Sequence, residues 1–96
     1  MNEKLKNEQM QILMQAILNL ETEEECYAFF DDLCTVSELK SLEQRFEVAR
    51  MLKDGCQYAE IVAKTGASSA TISRVNRALL YGADGYKTAI EKLENK

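Results

Sequence analysis

The chain has no histidine and no proline in 96 residues, only three cysteines, and no internal repeat or low-complexity tract. Each shortage closes a class of function. Without histidine, the mixed Cys/His spacings of zinc sites cannot occur, and the three cysteines, Cys26, Cys34 and Cys56, form no C-x-x-C pair. No metal and no cofactor is therefore expected. Cys26 falls on an apolar helix face beside Phe29 and Phe30 and is expected to pack as a core thiol. Three cysteines without a secretory signal point to a reducing, cytoplasmic compartment. No apolar run reaches the ~18 residues of a membrane span, so no membrane partner is expected. A Gly-rich phosphate loop is also missing. The carboxylates of Glu23 to Glu25, Asp31 and Asp32 belong to solvated helix surfaces rather than to an acid–base pair. Nothing here points to an enzyme.

A chain of 96 residues is expected to form one domain, residues 1–96. So small a domain leaves much of its surface uncovered, and sharing a core with a second copy would help it. The net charge of −4 is unevenly spread. Residues 1–56 hold 6 Lys+Arg against 12 Asp+Glu, whereas residues 57–96 hold 6 against 4. The basic half therefore has a balance of only +2, a weak field for a polyanion unless two copies combine.

With no proline to interrupt it, every segment reads as helix. The first, about Asn2 to Leu20, has a seam at Met10, Leu13, Ile17 and Leu20, and Ile12, Met14, Ala16 and Leu18 extend it around the cylinder. A helix apolar on so much of its circumference is buried on more than one side, which suggests another subunit. Thr22 with Glu25 forms a capping box opening a second helix to about Cys34, with Cys26, Phe29, Phe30 and Leu33 inward. Thr35 with Glu38 opens a third, to Asp54, with a stripe of Leu39, Leu42, Phe46, Ala49 and Leu52. Gly55 stops it. After Gly82, Asp84 caps a last helix with Tyr86, Ala89, Ile90 and Leu93 inward.

Between these lies the most informative stretch, at about residues 57–81. Tyr58, Ile61 and Val62 lead to Thr65, then Gly66, then Ala67-Ser68-Ser69-Ala70-Thr71-Ile72-Ser73-Arg74-Val75-Asn76-Arg77. Two short helices joined at a glycine form a helix-turn-helix. Ser68 sits at the N-cap, and Ile72, Val75 and Leu79 anchor one face. The other face carries Ser69, Ala70, Ser73, Arg74 and Arg77, with no acidic residue from Ser68 to Arg77. Small hydroxyls and guanidinium forks suit base edges and phosphates. Ser69, Ala70 and Ser73 are expected to set sequence preference, and Arg77 and Lys64 to meet phosphates. Ser68, Thr71 and Arg74 complete the expected DNA-binding set.

The order of six helices, with the helix-turn-helix fourth and fifth, resembles the Trp repressor superfamily. The matching residues are Leu42, Arg45, Val48, Leu52 and Gly55, then Gly66, Ala67, Ala70, Thr71, Ile72 and Arg74. The tail Tyr81-Gly82-Ala83-Asp84-Gly85-Tyr86, taken with residues 70–77, resembles the YerC/YecD subgroup of TrpR-like proteins. The resemblance implies an all-α domain in an intertwined homodimer, with DNA-facing positions at Ser68, Ser69, Ala70 and Ser73. It also implies a ligand pocket at Thr35, Arg45 and Arg74, the last two matching the arginines that hold tryptophan in the Trp repressor. Departures weaken that pocket. Val75 replaces a glycine and Ala78 replaces a serine, so the indole meets a branched side chain and a polar ligand group loses its hydroxyl partner. Tryptophan is therefore not the expected effector, and the resemblance leaves any other effector unidentified.

The resulting expectation is a homodimeric, sequence-specific, double-stranded-DNA-binding regulator of bacterial transcription, a repressor by its resemblance. The competing reading is a helical protein-interaction module without DNA binding. Such a surface exposes large apolar anchors, and Ser68 to Ser73 offer none.

Overall fold

A computed structural model describes residues 3–95. Among them are six α-helices and no strand: α1 Glu8–Leu18, α2 Glu23–Leu33, α3 Val36–Lys53, α4 Tyr58–Thr65, α5 Ser69–Tyr81 and α6 Gly85–Glu94. The fold is all-α, in the expected order. The chain divides into two compact units, residues 1–39 and 40–96, with the boundary inside α3.

In the first unit, the helix expected from Asn2 starts later. Glu3–Leu5 form a short 3₁₀ turn, and α1 begins only at Glu8. Asn7 is the cause: its side chain accepts a hydrogen bond from the Met10 amide at 2.9 Å, a capping role that asparagine prefers to a helix interior. Asn2 itself lies outside the described residues. At α2, the Glu25 amide donates to Thr22 Oγ1 at 3.1 Å, and Glu25 Oε1 accepts from the Thr22 amide at 3.2 Å, completing the expected box. Among the described residues of this unit, none is fully buried. Met10, Leu13, Ile17, Leu20, Phe29 and Phe30 are half-buried, and the two phenylalanine rings meet edge-on at 5.4 Å. Cys26 and Leu33, expected inward, are exposed. A unit of so few residues covers little of its own apolar surface.

The second unit holds the core. Val48, Ala49, Ile61, Ala67, Ile72, Val75 and Ile90 cluster, with Phe46, Met51, Leu52, Cys56 and Tyr86 packed against them. α3 ends as expected at Gly55, whose φ of 84° lets the chain reverse. The amide of Gly55 then donates to the Leu52 carbonyl and that of Cys56 to the Met51 carbonyl, both at 3.0 Å. The core meets α3 only from about Phe46 onward, so Leu42, one turn earlier, is exposed. α6 contributes Ile90 and Tyr86, whereas Ala89 and Leu93 face solvent. Lys53 pairs with Glu94 at 3.7 Å, joining α3 to α6. Asp84 occupies the cap position of α6 but does not cap with its side chain. Its backbone is left-handed, φ 65°, and its carboxylate instead meets Lys87 at 3.7 Å.

Candidate nucleic-acid interface

The helix-turn-helix is built around Thr65. Its hydroxyl donates to the Ile61 carbonyl at 2.7 Å and accepts from the Ala67 amide at 3.1 Å. Its carbonyl accepts from Gln44 Nε2 of α3 at 3.1 Å. One threonine thus closes the end of α4, starts the turn and ties both to α3. Gly66 follows with φ 71°, its amide bonded to the Val62 carbonyl at 2.9 Å. Ala67 then drops into the core, and Ser68 caps α5 by accepting from the Thr71 amide at 3.1 Å. The Ser68 hydroxyl also donates to the Thr71 hydroxyl at 3.1 Å, and Thr71 is half-buried. Ile72, Val75 and Leu79 are buried and fix the rotation of α5. With that rotation set, Ser68, Ser69, Ala70, Ser73, Arg74 and Arg77 all lie exposed. The first turn of α5 contains no acidic residue, so the partial positive charge of its N-terminus is not neutralised within the helix. Among the described residues, Arg74 and Arg77 have no ion-pair partner, which leaves both guanidinium groups open to phosphate or base oxygens.

Lys64 differs from the others. It is exposed near the end of α4, but its Nζ lies 2.9 Å from Glu47 Oε2. The other carboxylate oxygen of Glu47 meets Arg50 at 2.6 Å. The hydrogen bond from Lys64, with further help from Arg50, holds the Glu47 carboxyl below its ordinary range despite some desolvation. The Glu47–Arg50 pair follows from i, i+3 spacing. The links from Gln44 and Glu47 to the helix-turn-helix span α3 and α4 and had no local signal in the sequence.

The residues of the expected ligand pocket have other surroundings. Thr35 caps α3: its hydroxyl accepts from the Glu38 amide at 3.1 Å while Glu38 Oε1 accepts from the Thr35 amide at 2.8 Å. The Thr35 amide and hydroxyl hold the Glu38 carboxyl below its usual range. Arg45 is half-buried on α3 and, among the described residues, has no ion-pair partner. Val75 is 2 % exposed and part of the core. Among the described residues, no group of three or more Cys, Asp or Glu is arranged to hold a metal, and no helix is long and apolar enough to cross a membrane.

Residues 8–94 match the family model of the Trp repressor protein. The chain is 52 % identical over 92 residues to the uncharacterised protein YerC of Bacillus subtilis (strain 168), covering 96 % of this chain and 88 % of that one. The fold is similar to the crystal structure of a TrpR-like protein from Eubacterium eligens ATCC 27750, with a TM-score of 0.93, 55 % identity, and 97 % and 96 % of the two chains covered. It is equally close to a candidate Trp repressor of Staphylococcus aureus, with a TM-score of 0.92, 51 % identity, and 98 % and 94 % covered. By these matches the chain belongs to the Trp repressor family, in its TrpR-like, YerC-type subgroup.

Proposed function

We propose that this protein is a homodimeric, sequence-specific DNA-binding regulator of transcription that does not respond to tryptophan. The observation that carries the reading is the outward face of α5. It is acid-free and exposed, and it holds two guanidinium groups without partners on a helix whose rotation the core fixes. Ser69, Ala70 and Ser73 stand where a recognition helix meets base edges, and Ser68, Thr71 and Arg74 flank them. Arg77 meets phosphates, and Lys64 does so when it leaves its ion pair with Glu47. The dimer reading is supported by the first unit, where Ile12 and Leu18 are 63 % and 73 % exposed and no described residue is fully buried. Similarity to a TrpR-like protein and to a candidate Trp repressor supports a regulator of the TrpR type. Against tryptophan as effector stands Val75, whose side chain fills the core where the resemblance asks for a glycine.

Selection of bound sequences from a random duplex pool tests the reading. A twofold-symmetric site with half-sites about one turn, roughly 34 Å, apart is expected. Ser69 and Ala70 substitutions are expected to change the preferred base, whereas Arg77→Ala weakens all sequences alike. If no sequence is enriched and neither substitution alters binding, the helix is not a reader, and the protein-interaction module takes its place. Calorimetric titration with millimolar tryptophan is expected to show no saturable heat; saturable binding that also tightens DNA binding would restore tryptophan as effector.

A further inference from the structure

Glu47 is the one carboxylate that reaches the helix-turn-helix from α3 in an ion pair among the described residues. It lines a groove with Lys40, Glu43, Gln44, Lys64 and Thr65, next to the turn that launches the reading helix. Its two oxygens take two cations at once, Lys64 at 2.9 Å and Arg50 at 2.6 Å. Lys40, in the same groove, is likewise engaged, with Glu43 at 3.4 Å. On α5, by contrast, Arg74 and Arg77 have no carboxylate partner among the described residues. The basic surface is therefore divided into cations left open on the reading helix and cations occupied beside it.

We propose that Glu47 is a built-in brake on phosphate binding, holding Lys64 and Arg50 in ion pairs so that DNA phosphates must compete with a tethered carboxylate for them. The inference rests on the DNA-binding reading and adds to it a residue that limits affinity without touching bases. Sequence-independent binding grows with each phosphate neutralised, through release of condensed counterions. A carboxylate that occupies Lys64 removes one such contact per subunit, and its own charge repels the backbone. The brake is partial. The Lys64 side chain is 64 % exposed, and a solvated ion pair is weak enough for a closely approaching phosphate to displace it. Base preference is set by α5 and is untouched.

The test measures binding of the full-length protein to its selected duplex and to an unrelated duplex across a range of salt. Glu47→Gln, nearly isosteric, is compared with wild type, and melting followed by circular dichroism checks that both are folded. Glu47→Gln is expected to bind both duplexes more tightly at low salt, by about threefold to tenfold, and to steepen the salt dependence by about one to two charges per dimer. The selected site stays the same. Lys64→Met is expected to cost more affinity in the Glu47→Gln background than in the wild type. Unchanged or weaker binding by a folded Glu47→Gln overturns the brake and leaves the DNA reading standing. So does an equal cost of Lys64→Met in both backgrounds, because Lys64 would then already be on phosphate. Absence of duplex binding by both wild type and Glu47→Gln removes the DNA reading and the brake with it.

Discussion

Four glycines in this chain carry different constraints, and substituting them by alanine separates the causes. At Gly82 a Cβ would run into the carbonyl oxygen of Ala78, a backbone atom that cannot swing away. Gly82→Ala is expected to cost about 1–3 kcal/mol in a urea titration. Gly66 and Gly55 have open space around them but positive φ, so alanine there costs about 1–2 kcal/mol from backbone strain alone. Gly85 is neither crowded nor at positive φ, and Gly85→Ala at the start of α6 is expected to gain a few tenths of a kcal/mol through the unfolded chain. Of these roles, the turn at Gly66 and the stop at Gly55 were legible in the sequence. The crowding at Gly82 depends on how α5 ends and was not. Glu47 gives a residue-scale dependence on pH. Its folded value lies below the usual 4.5, so its stabilisation is complete above that value and is lost as pH falls through the folded one. Glu47→Gln is expected to flatten the loss of stability in that acid window by lowering the plateau near neutrality slightly, the pair being largely solvated, and to leave the acid end unchanged.

At the scale of the element, α5 buries one face in the core and offers the other to the proposed DNA contact, and variants should separate the two. Ser68→Ala removes the cap and is expected to cost about 1 kcal/mol. Val75→Ala opens a hole in the core, with an expected cost of about 2 kcal/mol. Val75→Gly, the change that would restore the glycine of a tryptophan pocket, loses more and is expected to unfold the protein before it admits a ligand. Arg77→Ala is expected to leave the urea midpoint within error and to lower the salt slope of DNA binding by about one charge per subunit. The cap and the buried face were readable in the sequence because capping and helical period are local signals. Thr65 is the exception. Two of its three hydrogen bonds are local, but the third, from Gln44 21 residues away, exists only once α3 and α4 have packed. The start of α1 also escaped the periodicity, which runs unbroken through Asn7, whereas the cap bond decides where the helix begins.

For the whole molecule, the uneven burial is what matters. Among the described residues, all the fully buried side chains lie in the second unit, and the first has exposed apolar side chains. Sequence patterning found the excess apolar surface of α1 but placed Cys26 and Leu33 inward and Leu42 on the stripe of α3, since periodicity marks an apolar stripe without saying what will cover it. The paired change Ile12→Asp and Leu18→Asp strikes the face exposed in a single chain and spares the half-buried seam at Leu13 and Ile17. Sedimentation is expected to show about twice the 10.9 kDa chain mass for the wild type and a loss of that species for the double variant. The wild-type melting temperature is expected to rise with protein concentration, as for any fold completed by association. A folded wild-type monomer across micromolar concentrations would remove the dimer from the reading. The assignment of the proposed pairing surface to the first unit and of the proposed DNA contacts to the second also has a genetic consequence. An allele that spoils Arg74 and Arg77 but keeps the first unit intact would still pair with normal chains. Co-expressed with the wild-type gene, it would sequester functional subunits in mixed dimers and behave as a dominant allele. An allele spoiled at Ile12 and Leu18 would form no such mixtures and would be recessive.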